Sequence, residues 1–273
     1  MSYAYTEEKL RELFLRALDL FNDCVESDIS PANTILAFFT PEKGVDVYEA
    51  FCTEHFPKYL QEPYRERGYF EGIAAQAFVG EGQYGILFRS DLDFPPHEIL
   101  YTFMHEISHL YCTSNEIPGG HFFDRFCTGS GGADGQMNAG YAVWREFVAD
   151  LMASSILSET TNTTLSSVKK TVMRLYDSIS AANPDSKKCM SLILVYLMNT
   201  REVACTESWI KAEQAINSKY KFDDMMMYGL KLVFENLQER PFWSITPDFI
   251  MELGGVYLSI LSSQTLKHLR FQP

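Results

Sequence analysis

The sequence predicts an α+β fold: a small sheet or hairpin, two helices after it, and a mostly helical C-terminal portion. Three observations carry this prediction. Short apolar runs bounded by glycine and proline, at Thr34–Phe39 and on both sides of Gly80-Glu81-Gly82-Gln83, read as strands. Apolar residues stepping by three and four before and after these runs read as amphipathic helices. Two histidines four residues apart, His105 and His109, fall in one of those helices just after the strands.

The elements follow in order. Leu10, Leu13, Phe14, Ala17, Leu18 and Phe21 make one apolar stripe with Glu and Arg between them, which predicts a first helix. Thr34–Phe39, after Pro31 and before Pro41, suits a buried strand. Val45 to Tyr59 is expected to be helical, with Pro57 limiting its far end. Ala77-Phe78-Val79 and Tyr84-Gly85-Ile86-Leu87-Phe88 flank the glycine turn, so Ile73–Ser90 reads as a β-hairpin. Asp93 is the expected N-cap of the next helix, with Pro95 or Pro96 in its first turn and an end near Tyr111. Ser114 to about Asn138 holds Gly119-Gly120, Gly129, Gly131-Gly132 and Gly135 without sustained period, and is expected to be a long loop of the functional or mobile kind. A helix is predicted from Ala139 through Trp144 to about Leu157. Beyond Thr160 the chain reads as helical: Leu165–Ile179, Leu230–Leu237, and a helix opened by Thr246-Pro247 that runs to Leu261. The Met225–Met227 triplet is expected in a core. Residues 1–160 are expected to form the core and 161–273 a helical region, separate or packed on the core as one domain.

Composition narrows the function classes. The chain has 273 residues, 46% of them hydrophobic, which is enough to bury a substantial core. Its 23 Lys+Arg stand against 36 Asp+Glu, a formal charge of −13. The basic residues cluster no further than the doublets Lys169–Lys170 and Lys187–Lys188, so neither nucleic acid nor an anionic membrane is an expected partner. The six cysteines form no CxxC pair and suggest neither a zinc knuckle nor a disulfide framework. The first residues lack the apolar stretch of a signal peptide, and Leu192–Met198 is too short to span a bilayer. A cytoplasmic location is expected.

His105-Glu106-Ile107-Ser108-His109 is an HExxH motif. Residues i and i+4 lie one above the other on a helix, so both imidazoles can reach one metal ion. Glu106 is one position on, rotated to where it can take a proton from a water that the metal activates. Zn2+ is the expected cofactor, and a catalytic zinc takes three protein ligands. The HExxHxxGxxH pattern that would supply a third histidine is excluded, because Cys112 and Asn115 stand at the glycine and histidine positions. Glu146 is the expected third ligand. It lies in Trp144-Arg145-Glu146-Phe147-Val148-Ala149-Asp150, and Asp150, one turn on, is expected to accept a hydrogen bond from a ligand histidine and fix its tautomer. For stabilising an oxyanion the candidates are His121, Tyr141 and Arg145. His121 reads equally as a surface histidine or as a group closing over substrate, Tyr141 has the same status, and Arg145 points about a quarter-turn away from Glu146. His55, His97 and His268 are expected bystanders.

With these residues the sequence resembles the gluzincin metallopeptidases, and most closely the ImmA/IrrE-like family of intracellular metallopeptidases. The matching stretches are Gly85–Phe88, Thr102-Phe103-Met104-His105-Glu106-Ile107-Ser108-His109-Leu110, and Glu146–Ala153. The resemblance covers roughly Ile73 to Leu157. It departs in the long glycine-rich insert and in Phe147, where the family has alanine. It implies a zincin-like core, with Tyr84–Phe88 as the edge strand that pairs with an extended peptide substrate, and an intracellular peptidase activity. Two other classes fit the same motif: a zincin-fold regulatory or protein-interaction module with weak or no turnover, and a deformylase-like hydrolase. The last ranks lowest, since neither Cys24 nor Cys52 sits in the glycine-cysteine setting that family resemblance expects.

Overall fold

The computed structural model of the chain describes residues 3–61, 67–129, 132–161 and 245–270. The predicted helices at Leu165–Ile179 and Leu230–Leu237 and the Met225–Met227 triplet lie outside the described residues. Among the described residues the fold is mixed α+β, mostly helical, with a small three-stranded sheet. The chain divides into two compact units, residues 1–115 with 152–163, and residues 116–151 with 164–273.

In the first unit, α1 (Glu7–Cys24) buries the predicted stripe from Leu10 to Phe21. Thr6 caps it by accepting from the Lys9 backbone N–H at 3.2 Å, and Glu7 and Glu8 complement the positive end of the helix dipole. Strand β1 (Thr34–Phe39) is followed by α2 (Gly44–His55). The helix expected to reach Tyr59 stops at His55, because Pro57 disfavours helical backbone at Phe56, and the chain resumes as a 3-10 turn at Pro57–Gln61. Then come α3 (Arg67–Gly72), β2 (Ala75–Val79), β3 (Tyr84–Arg89) and α4 (Pro96–Ser114).

The strand order is β1-β3-β2, with β3 parallel to β1 and antiparallel to β2. The predicted hairpin is β2–β3, paired from Val79↔Tyr84 to Ala75↔Phe88, and Gly82 takes φ +68° in its loop, where a side chain would be strained. The expectation that Tyr84–Phe88 is an edge strand is corrected: it is the central strand, with a neighbour on each side. On one face, Leu87 and Phe78 join Phe39, Tyr48, Phe51, Phe56 and Phe70 in a buried cluster. Gly85 sits so close beneath Phe56 that an added Cβ would lie 2.4 Å from its ring. On the other face Phe88 stacks on Phe103 of α4, centroids 4.1 Å apart, and Phe103 meets Phe14 of α1 edge-on at 5.7 Å. Helices therefore cover both faces of the sheet, which is why Tyr84–Phe88 is buried throughout.

Asp93 does not cap α4. The helix begins at Pro96 with Pro95 as its N-cap, and the Asp93 carboxylate accepts from the Tyr3 backbone N–H instead. Two successive prolines delay the first helical turn past the reach of Asp93. Arg89 grips Asp91 through two hydrogen bonds, 2.7 and 3.2 Å, which fixes the exit from β3 toward α4.

The segment expected to be a loop contains a short helix, α5 (Phe122–Phe126), and α6 (Gly132–Thr161) starts at Gly132 rather than Ala139. The glycines that masked this start are Gly132 and Gly135, and a glycine inside a helix costs about 1 kcal/mol relative to alanine. Packing outweighs that cost: Met137, Gly140, Val143 and Trp144 are buried. The 30-residue α6 is common to both units. The last helix, α7 (Pro247–Arg270), begins as predicted, with the Thr246 hydroxyl accepting from the Phe249 N–H at 3.2 Å and Pro247 in the first position, and it continues past Leu261.

Candidate metal centre

The centre is built first from α4. Ile99, Leu100, Phe103, Met104, Ile107 and Leu110 fix the helix by burying its apolar side, and Ser108, fully buried, turns its hydroxyl back to donate to the Met104 carbonyl at 2.8 Å. His105 is half-buried and His109 is 6% exposed. Their Nε2 atoms converge to 3.0 Å, with the rings near perpendicular at 85°. Two metal–nitrogen bonds of about 2.0–2.1 Å span such a gap. The four-residue spacing thus does what helix geometry predicts: it aims two imidazoles at one point.

The third group comes from α6. One ligand atom from each of His105, His109 and Glu146 lies within 4.8 Å of the others, an arrangement that could hold a metal ion. Among the described residues no other three His, Cys, Asp or Glu side chains gather in this way. Glu146 is half-buried on a helix whose neighbouring residues Phe147, Val148, Ala149 and Leu151 are buried, so its carboxylate is partly withdrawn from water. A cation shared with two histidines offsets the cost of placing a charge there. Two imidazoles and one carboxylate are also a chemically coherent donor set, suited to zinc and to other first-row divalent ions.

The remaining candidates fall outside this cluster. Glu106 follows His105 directly, about 100° further round the helix, and is 7% exposed. Asp150 is half-buried one turn beyond Glu146, on the same side of α6. His121 is exposed at the start of α5, in left-handed backbone with φ 52°, and its Nδ1 is 3.4 Å from a Glu116 carboxylate oxygen. Tyr141 precedes Glu146 by five residues, which turns it about 140° away around α6. Its ring stacks on Phe122 at 5.8 Å and on Trp144 at 5.9 Å. Arg145 is exposed, and His55 and His97 lie beside Glu54 and Glu98 on their own helices.

One feature of the surroundings was missed in the sequence. The free edge that borders α4 belongs to β2, because β3 lies inside the sheet and β2 packs against α4. Gly80 N–H donates to Gln83 O, and Arg89 N–H donates to Ala74 O. Alternation along the hairpin then turns the backbone groups of Ala75, Ala77 and Val79 outward. The Val79 N–H donates to the Tyr59 hydroxyl at 3.1 Å, as this geometry requires. The signal was available: Tyr84–Phe88 is an unbroken apolar run, the mark of a strand covered on both faces.

The chain matches no known protein family, no curated protein and no solved structure. No helix among the described residues is long and apolar enough to cross a membrane.

Proposed function

We propose that the protein is a zinc-dependent hydrolase, a metallopeptidase of the gluzincin type whose zincin-like core is the sheet with α4 and α6. The observation that carries this reading is the meeting of His105, His109 and Glu146 beside the buried Glu106. Zinc held by these three ligands would polarise a peptide carbonyl and acidify a water molecule. Glu106 is the general base: its carboxylate takes the proton of the attacking water and passes it to the departing amine. Asp150 orients a ligand histidine by accepting its distal N–H. Of the three candidate oxyanion donors, His121 is favoured, because Arg145 points away from Glu146 and the Tyr141 ring is held in its aromatic stack on another side of α6.

The substrate class follows from β2. An extended peptide pairing with the outward N–H and C=O groups of Ala75 and Ala77 would lie alongside the helix that carries both histidines. The small side chains at both positions leave room for such a strand.

The test is Glu106→Gln in zinc-loaded protein, assayed against unfolded casein and a mixed fluorogenic peptide library. Hydrolysis is expected to fall about 10²–10⁴-fold, the usual contribution of a general base, with zinc content unchanged. Equal hydrolysis by both proteins would overturn the role of Glu106. Stoichiometric zinc with no cleavage of either substrate by the parent protein would instead favour an interaction module built on the same scaffold.

A further inference from the structure

The helix that carries Glu146 makes one unusually close backbone contact. Gly140 of α6 and Gly254 of α7 bring the two backbones together. A Cβ at Gly140 would lie 1.9 Å from the Ile250 carbonyl oxygen and 2.8 Å from the Gly254 nitrogen. A Cβ at Gly254 would lie 1.9 Å from the Gln136 carbonyl oxygen and 2.9 Å from the Gly140 nitrogen. The contact is reciprocal, so each helix is pressed to the other over a full turn. Gln136 locks it by donating from Nε2 to the Met251 carbonyl oxygen at 2.7 Å. Ile250 and Leu253 on α7, and Met137, Val143 and Trp144 on α6, are buried around it.

We propose that this crossing sets the position of Glu146, making Gly140 and Gly254 positioning residues for the metal centre and α7 the brace of the third-ligand helix. The inference rests on the metal-site reading above. Magnitudes support it. Glu146 lies six residues beyond Gly140, about 9 Å along a stiff helix. A methyl group at either glycine faces backbone, which cannot rotate away, so the helices must part by roughly 1 Å to restore ordinary contact distances. Metal–ligand distances tolerate only about ±0.2 Å. A single methyl group far from the ligands therefore moves Glu146 outside the tolerance of the site. The other glycines of these helices provide graded controls. A Cβ at Gly135 meets nothing within 4 Å, and one at Gly255 meets only the end of the Gln136 side chain, at 2.7 Å.

The experiment measures zinc affinity by chelator competition, and the visible absorption of cobalt-loaded protein, in the full-length parent, Gly135→Ala, Gly255→Ala, Gly140→Ala and Gly254→Ala. Gly135→Ala is expected to match the parent and Gly255→Ala to weaken zinc less than tenfold. Gly140→Ala and Gly254→Ala should weaken it at least tenfold and change the cobalt spectrum toward that of Glu146→Gln. A purely structural role would lower the melting temperature of the metal-free variants while leaving the affinity and spectrum of the folded protein alone, and that result overturns the proposal. If Gly140→Ala and Gly254→Ala do not fold, Gln136→Ala removes the lock without adding a methyl group. A twofold to tenfold loss of zinc affinity there supports the brace, and unchanged affinity overturns it. A parent protein that binds no zinc overturns the metal-site reading itself. Zinc binding lost in His109→Ala but kept in Gly140→Ala overturns the brace alone.

Discussion

Helices α4 and α6 both contribute to the same cluster of ligand atoms, yet they are held by opposite means. α4 is fixed by side chains: ten of its nineteen residues are buried, and Phe103 is wedged between Phe88 of the sheet and Phe14 of α1. α6, at Gly140, lies with its backbone directly against α7, where neither glycine leaves room for a side chain. The first arrangement resists change by filling space, the second by leaving none. It follows that α4 should fail through cavities and α6 through added atoms.

The largest expected effect breaks the α4 side of this comparison. Phe103→Ala removes a fully buried ring and should cost about 3–5 kcal/mol in urea unfolding. A loss below about 1 kcal/mol would mean that the stack against Phe88 does not hold the helix. A smaller effect probes the other side. Thr246→Ala removes the hydroxyl that caps α7 and should cost about 1 kcal/mol by the same measurement. No change would show that α7 is held by its glycine crossing alone. The smallest effect lies at the entry to α4. The Arg89 guanidinium holds the Asp91 carboxyl below the usual carboxylate range, chiefly by hydrogen bonding. A depressed folded-state pKa stabilises above the unfolded value of about 3.9 and is lost as pH falls through the folded one. The Asp91 side chain is 42% exposed, so solvent screening keeps the contribution well under about 1 kcal/mol. The stability gap between the parent and Asp91→Asn should therefore be small at pH 7 and close below about pH 3.9. A gap that widens in acid would contradict the pairing.

The same contrast explains what the sequence reveals. His105, Glu106 and His109 lie within five residues of one helix, so the helical period alone places them. The α1 stripe, Thr34–Phe39 and the Thr246-Pro247 start are local patterns as well, and the structure has each of them. Strand order is not local. The hairpin is visible, but β1 adding in parallel to β3 depends on α2 packing across the sheet, and that turned an expected edge into the centre. The start of α6 was hidden for a related reason. Gly132 and Gly135 read as loop residues, and what holds this first stretch of α6 is a tertiary contact, with Gln136 donating to the Met251 carbonyl of α7. Tyr141 and His121 were legible as residue types close in sequence to Glu146, but the stacking of Tyr141 on Phe122 and the left-handed turn that sets His121 at the start of α5 are not encoded by residue type.

The central claim is that side chains from these two differently supported helices share one metal ion. Elemental analysis of the purified protein beside its His109→Ala and Glu146→Gln variants tests it most directly. The account predicts about one zinc per chain in the parent, none in His109→Ala, and a strongly depleted content in Glu146→Gln, each variant keeping the helical circular dichroism of the parent. Zinc retained at full stoichiometry in both variants, or absent from the parent after zinc loading, would contradict it.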